Sequence, residues 1–172
     1  MTAAALRSVR TERFMLTKTT LPKHDSRFMR YRPPEGHSLY PIWHPMIVTR
    51  GRIMVFDAVP GARQQRKRGE VSERAAPGGV RVFTAMTDPA VYVCVLAHDR
   101  HVWDREGRVL AAGEPLTVTA DALAAVVVAA GEVVLEGPDV TLSELRVVQI
   151  RPGKSATLWA GAAGAVLMIL RR

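Results

Sequence analysis

Residues 80–97 read VRVFTAMTDPAVYVCVLA, and this stretch decides the fold. The β-branched and aromatic residues of Val80 to Met86 are typical of a strand, and Asp88-Pro89 marks a turn. Val91 to Ala97 is apolar at nearly every position, which is typical of a strand buried on both faces. The stretch therefore predicts two strands joined by a turn, with the second strand at the centre of a sheet.

Similar short strands extend on both sides of this stretch. Met46 to Thr49 and Arg52 to Phe56 are predicted strands that Arg50-Gly51 divides. Downstream, Asp104-Arg105-Glu106-Gly107 has the composition of a hairpin turn. Short strands with turn residues at roughly ten-residue spacing are typical of sandwiches, jelly rolls and small barrels. The predicted fold class is all-β: a single β-sandwich or jelly-roll-like domain over residues 46–172.

Two later segments are compatible with either a helix or strands. Within residues 120–130, Thr119 can cap a short helix that Gly131 ends, whereas Val126-Val127-Val128 favours a strand, and both readings stay open. Ser155 to Leu170 carries no charge but is shorter than the roughly 20 residues of a membrane-spanning helix. Gly161-Ala162-Ala163-Gly164 favours a turn, so we predict a terminal hairpin and no membrane partner.

Positive charge is concentrated in the first half of the chain. Residues 1–80 carry 15 Lys/Arg and 6 Asp/Glu, a net of +9, and residues 81–172 carry 9 and 10, a net of −1. Residues 1–45 show no sustained period and contain several prolines, which predicts an extended basic arm. Five of its aromatic residues are predicted to be anchors at subunit interfaces: Phe14, Phe28, Tyr31, Tyr40 and Trp43.

A second basic segment is predicted to be an exposed loop over residues 62–79. Its cluster of Arg63, Arg66, Lys67 and Arg68 can contact phosphates or an acidic protein partner. No aromatic residue lies between Phe56 and Phe83, and no recognition helix is evident. Nucleic acid is therefore a possible partner that ranks below protein.

The sequence offers no recognisable catalytic or metal-binding motif. The single Cys94 excludes an intramolecular disulfide, and no G-x-S-x-G motif occurs. His98 and His101 are the only close histidines, without a third ligand at metal-binding spacing. We therefore predict no catalytic residue, no metal and no cofactor.

An N-terminal arm that binds neighbouring subunits, attached to a β domain, favours a non-enzymatic structural protein of a symmetric assembly. The leading hypothesis is a phage virion component, in the capsid or tail, that is assembled in the bacterial cytoplasm. Its partners would be copies of itself and other assembly proteins. One alternative is a nucleic-acid-binding or packaging-associated protein that uses the basic first half. The other is a small β-domain sugar binder or enzyme that uses His98, Asp99, His101 and Trp103.

Overall fold

The computed structural model describes residues 5–30, 45–57, 61–72, 80–97 and 103–172, without the side chains of 28–30 and 80. The chain divides into two compact units, unit 1 from Met1 to His101 and unit 2 from Val102 to Arg172. This division differs from the boundary at residue 45 that the sequence suggested. The described residues form strands and turns and no helix, so the all-β fold class is confirmed.

Unit 1 contains eight strands within its described residues. They are β1 (Ala5–Arg10), β2 (Phe14–Leu21), β3 (Ser26–Arg30), β4 (Met46–Arg50), β5 (Arg52–Asp57), β6 (Ala62–Lys67), β7 (Val80–Ala85) and β8 (Ala90–Ala97). One antiparallel sheet has the order β1-β2-β8-β4, and a second has the order β3-β7-β5-β6. The predicted central strand is therefore confirmed, because β8 lies between β2 and β4.

The two sheets of unit 1 share one hydrophobic core. Val48 and Tyr92 enter it from the first sheet, and Val55 and Phe83 enter it from the second. The rings of Phe83 and Tyr92 meet with their centroids 4.9 Å apart. Alternate residues of a strand point to opposite faces of the sheet. The residues of β5 and β6 that alternate with the inward-facing ones therefore point to the outside.

Residues 5–30 form three strands, which differs from the extended arm predicted for residues 1–45. β2 pairs with β8 along its whole length, from Phe14 opposite Ala97 to Leu21 opposite Ala90. Phe14 and Leu16 are fully buried, so Phe14 is a core residue of its own subunit. The Thr-rich sequence of β2 has high strand propensity, and its first proline follows only after the strand ends. Phe28 lies in β3, whereas Tyr31, Tyr40 and Trp43 lie outside the described residues.

The basic segment over residues 62–67 is a strand, where the sequence predicted a loop. β6 pairs with β5 from Arg52 opposite Lys67 to Asp57 opposite Ala62. Polar composition misled the prediction because an edge strand needs only backbone partners on one side and commonly carries charged side chains. Residues 68–72 then return to the first sheet, where Val71 bridges to Ile47. Residues 73–79 of the predicted loop lie outside the described residues.

Unit 2 is built on one six-stranded antiparallel sheet. Its strands are β9 (Asp104–Leu110), β10 (Pro115–Ala120), β11 (Ala124–Leu135), β12 (Val140–Ser143), β13 (Arg146–Ile150) and β14 (Lys154–Arg171). The hydrophobic cluster of unit 2 consists of Val, Leu, Ile and Ala side chains, and Trp103 and Met168 are also fully buried in this unit. The open question over residues 120–130 is answered by β11, in which the three valines are buried strand residues.

Two turns predicted in unit 2 are instead parts of strands. Asp104 to Gly107 lies inside β9, which pairs with β14, and Glu106 there accepts a hydrogen bond from Arg171 (Nη1–Oε2 3.1 Å). Gly161 and Gly164 lie inside the continuous strand β14. This strand pairs with β10 in its first part and β9 in its last part, with β11 along both. The glycines accompany register shifts opposite β11, so they bend one strand and do not separate two.

No helix in the described residues is long and apolar enough to cross a membrane.

Candidate functional site

Several polar side chains meet in the interior of unit 1. Residues directly opposite in an antiparallel pair share a face, which places Asp57 of β5 beside Arg81 of β7, and Cys94 of β8 beside Met46 of β4. Arg81 shares its strand face with the core residue Phe83. We call Arg81, Asp57, Ser72 and Cys94 the Arg81 cluster.

Arg81 is held by three hydrogen bonds. Its Nε donates to Asp57 Oδ1 at 2.5 Å and its Nη2 donates to Asp57 Oδ2 at 2.8 Å. Its Nη1 donates to the hydroxyl of Ser72 at 3.2 Å. The Arg81 side chain is 5% exposed and that of Asp57 is 19% exposed. A guanidinium has five N–H groups, so two of them have no partner among the described residues.

Ser72 ties this network to the first sheet. Its hydroxyl accepts a hydrogen bond from the backbone N of Met46 at 3.1 Å, and its own backbone N donates to the carbonyl of Met46 at 2.8 Å. Arg81 therefore reaches from the second sheet to the chain that borders β4. Because every link in this network is buried or half-buried, the guanidinium is fixed in one orientation.

Two further titratable groups of the interior are neutral at ordinary pH. Burial raises the pKa of the Cys94 thiol to about 12, and the nearby Arg81 opposes that shift only in part. Burial is also the largest cause that raises the pKa of the Tyr92 hydroxyl above its usual range, against a hydrogen bond with Thr19. Asp57 is the one carboxylate among the four residues of the Arg81 cluster, and it forms an ion pair with Arg81.

The Arg81 cluster lies where the strands of unit 1 begin and end. β4 begins at Met46, β5 ends at Asp57, and β7 begins one residue before Arg81. Farther along the same inner faces, Ile53 and Ala85 are fully buried, and Arg66 of β6 faces inward opposite Ile53. Converging buried polar groups are a mark of small-molecule sites, which makes the Arg81 cluster the candidate binding site of unit 1.

The basic residues predicted from the sequence do not form one group. Arg63 and Lys67 of β6 point outward, and Arg68 follows them in an exposed turn. Arg66 faces the other way and donates a hydrogen bond to Gln64, and its buried Nε has no partner within the described part of the chain. His98, Asp99 and His101 lie outside the described residues, and Trp103 is fully buried at the start of unit 2.

Sequence reasoning missed Arg81, Asp57 and Ser72. One signal for Arg81 was present, because the alternation of Arg81, Phe83 and Ala85 puts the arginine on the buried face of its strand. A buried arginine requires a partner, but the sequence did not reveal which carboxylate lies opposite it.

No family model and no curated protein matches the chain. Solved structures do match it. YhaK from Escherichia coli shares 15% identity with a TM-score of 0.62, over 100% of this chain and 88% of that one. The bacterial pirin YhhW from Escherichia coli, in complex with nickel(II), shares 15% identity with a TM-score of 0.57, over 98% and 82%. A cupin 2 conserved barrel domain protein from Leptotrichia buccalis shares 10% identity with a TM-score of 0.52, over 98% and 88%.

These similarities show a cupin-type β fold and correct the functional hypothesis. The predictions of a virion component, of a capsid or tail protein and of a non-enzymatic protein are wrong, because the fold is that of cupin-type proteins. That hypothesis depended on an N-terminal arm that binds neighbouring subunits. Residues 5–30 instead form strands of unit 1, so this argument does not hold. The location in a virion depended on the same argument and has no other support.

The nickel(II) in the YhhW complex raises the question whether this chain has residues that fit a metal ion. No group of three or more His, Cys, Asp or Glu side chains within the described ranges can hold one. Both oxygens of Asp57 accept hydrogen bonds from Arg81, whose positive charge would also repel a metal cation beside Cys94. The Arg81 cluster therefore does not fit a metal centre.

Proposed function

We propose that this protein is a cupin-type domain protein that binds a small organic molecule in unit 1. The ligand is held at the Arg81 cluster through a carbonyl or carboxylate oxygen. The observation that carries the proposal is the Arg81 guanidinium, which is 5% exposed and keeps two N–H groups without a partner among the described residues. The proposal takes up the small-molecule alternative of the sequence analysis with different residues.

The chemistry follows from the fixed orientation of this guanidinium. Arginine presents planar N–H donors in a rigid fork, and fixed donors bind an oxygen with little loss of side-chain entropy. Two remaining N–H groups match the acceptor capacity of one carbonyl oxygen or of a carboxylate. Neutral Cys94 and Tyr92 add no negative charge that would repel a carboxylate.

The test is a thermal unfolding screen with matched small molecules. Each set contains three compounds that share one carbon skeleton and differ only in carrying a carboxylate, an amide or an alcohol group. A ligand that binds only the folded protein stabilises it by about 3 kcal/mol at one hundred times its Kd, which raises Tm by several degrees. We expect the carboxylate or the amide of at least one set to raise Tm, and the alcohol, which is a weaker acceptor, to raise it less.

The comparison within a set separates charge from hydrogen bonding. A carboxylate that binds more tightly than its amide identifies an anionic ligand, and equal binding identifies a carbonyl ligand. An Arg10→Gln variant, changed at an exposed position of β1, should respond as the unmodified chain does. A panel in which no carbonyl or carboxylate compound changes Tm, or in which alcohols act equally, contradicts the proposal.

A further inference from the structure

The outward surface of β5 and β6 combines exposed cations with half-exposed apolar side chains. Register places the outward residues in three opposed pairs, which are Arg52 with Lys67, Met54 with Gln65, and Phe56 with Arg63. We call these six residues the β5–β6 face. They are the residues of the two strands that do not share the inward face of Ile53 and Val55.

The charge of this face is positive. Arg52, Arg63 and Lys67 are exposed, and neither arginine has a carboxylate partner among the described residues. Lys67 lies 3.9 Å from Glu70 (Nζ–Oε1), with the two side chains 72% and 41% exposed. An exposed pair at that distance contributes little to stability. Glu70 Oε2 also accepts a hydrogen bond from the backbone N of Lys67 at 3.0 Å, so one carboxylate stays beside this end of the face. Arg68 adds a fourth exposed cation directly after β6.

An aromatic ring lies within this cationic surface. The guanidinium carbon of Arg63 lies 5.4 Å from the centroid of the Phe56 ring. Phe56 and Met54 are half-buried on the outward side, so each also offers apolar surface to a ligand. Nucleic-acid bases stack on aromatic rings and on arginine planes alike.

We propose that the β5–β6 face binds single-stranded nucleic acid. Arg52, Arg63 and Lys67 contact phosphates, and the Phe56 ring supplies a stacking position for a base. An acidic peptide would use the charges but would leave Phe56 and Met54 without a role. β5 and β6 belong to a four-stranded sheet and form neither a helix nor a free two-stranded ribbon that could enter a major groove, so unpaired bases fit the face better than a double helix does.

The dimensions of the face suit a short stretch of strand. Arg63 and Lys67 are four residues apart on β6, which is roughly 14 Å at the antiparallel rise. Three cations therefore line a path of two to three nucleotides. This proposal keeps Arg63 and Lys67 from the predicted basic cluster and excludes Arg66, which faces inward. It also adds Phe56, which the sequence separates from the cluster but strand pairing places opposite Arg63.

The test is fluorescence anisotropy of a labelled oligothymidylate titrated with the full chain at several salt concentrations. Three phosphate contacts on a single strand predict that log K falls with log salt with a slope of about −2. A double variant Arg63→Gln/Lys67→Gln should bind at least ten times more weakly. The matched control Arg151→Gln/Lys154→Gln removes the same charge from exposed positions of unit 2, just before β14 and at its first residue, and should bind as the unmodified chain does.

A separate variant, Phe56→Leu, tests whether a base stacks on the Phe56 ring. Phe56→Leu keeps the apolar volume but removes the ring, so we expect weaker binding at unchanged salt slope, with Tm confirming that the protein stays folded. Several outcomes would overturn the proposal: no binding, equal weakening by the control, or equal affinity for duplex. Displacement of the oligonucleotide by polyglutamate at equal charge concentration would indicate a docking surface for acidic protein instead.

Discussion

Arg81 of β7 and Asp57 of β5 lie directly opposite each other and form a two-point ion pair in the interior of unit 1. The Nε–Oδ1 and Nη2–Oδ2 distances are 2.5 and 2.8 Å. A buried pair of this kind adds little net stability over apolar residues, because both charges lose their hydration. The proposed ligand contact would give this pair a role other than stability, because the pair orients the Arg81 guanidinium.

Removal of one partner should be costly. We expect Asp57→Ala to lower the free energy of unfolding by about 3 kcal/mol, because it leaves the Arg81 cation buried without its carboxylate. The double variant Asp57→Ala/Arg81→Met should be more stable than Asp57→Ala alone, since it removes the unpaired charge. Urea unfolding of the three proteins measures both differences. A double variant less stable than Asp57→Ala would contradict the burial argument.

Two glycines of unit 2 allow a matched test of backbone packing. Gly131 and Gly113 have similar positive φ values, 77° and 71°. A Cβ at Gly131 would collide with the carbonyl oxygen of Gly164, whereas a Cβ at Gly113 would meet nothing within 4 Å. We expect Gly113→Ala to cost about 1 kcal/mol, the strain of the left-handed conformation alone. Gly131→Ala should cost clearly more, measured by denaturant unfolding. Equal losses would show that β11 and β14 do not approach each other this closely.

Stability should fall in alkaline solution. The unfolded chain loses its Cys94 proton near the ordinary pKa of 9.0, whereas burial raises the pKa of the folded thiol to about 12. The folded state thus binds more protons in this window, and its stability decreases as the pH rises from about 9 towards 12. Each such group contributes roughly 1 kcal/mol per pH unit. Tyr92, whose pKa is also raised, acts in the same direction.

The control for this pH effect is a Cys94→Ala variant measured across the same range. Its loss of stability above pH 9 should be shallower than that of the unmodified chain, because Tyr92 is then the one described group whose pKa burial raises. Urea unfolding at each pH gives the slopes. Identical slopes would mean that the Cys94 thiol is not buried as strongly as its surroundings indicate.

Much of the strand content followed from hydrophobic periodicity, but strand ends and pairing did not. The uninterrupted apolar run of β8 identified a central strand correctly. The basic segment of β6 and the turn-like residues 104–107 of β9 were misassigned because edge strands tolerate charge and glycine. Local composition does not reveal whether an edge of a sheet is available to pair with such a segment.

The candidate site lay beyond sequence reasoning for a topological reason. Asp57 and Arg81 are separated by 24 positions, and β6 lies between their strands along the chain. They meet only because β7 pairs with β5 on the side opposite β6. The same pairing order, once known, also explains how Phe56 comes to lie beside Arg63.

The most direct test of ligand binding at the Arg81 cluster is a calorimetric titration of the best compound from the matched screen. It is performed on the unmodified chain and on Arg81→Lys, which keeps the charge but loses the planar fork of donors. We predict one site per chain for the unmodified protein and at least tenfold weaker binding by the folded variant. Equal affinity of the two proteins would contradict the assignment of the ligand to Arg81.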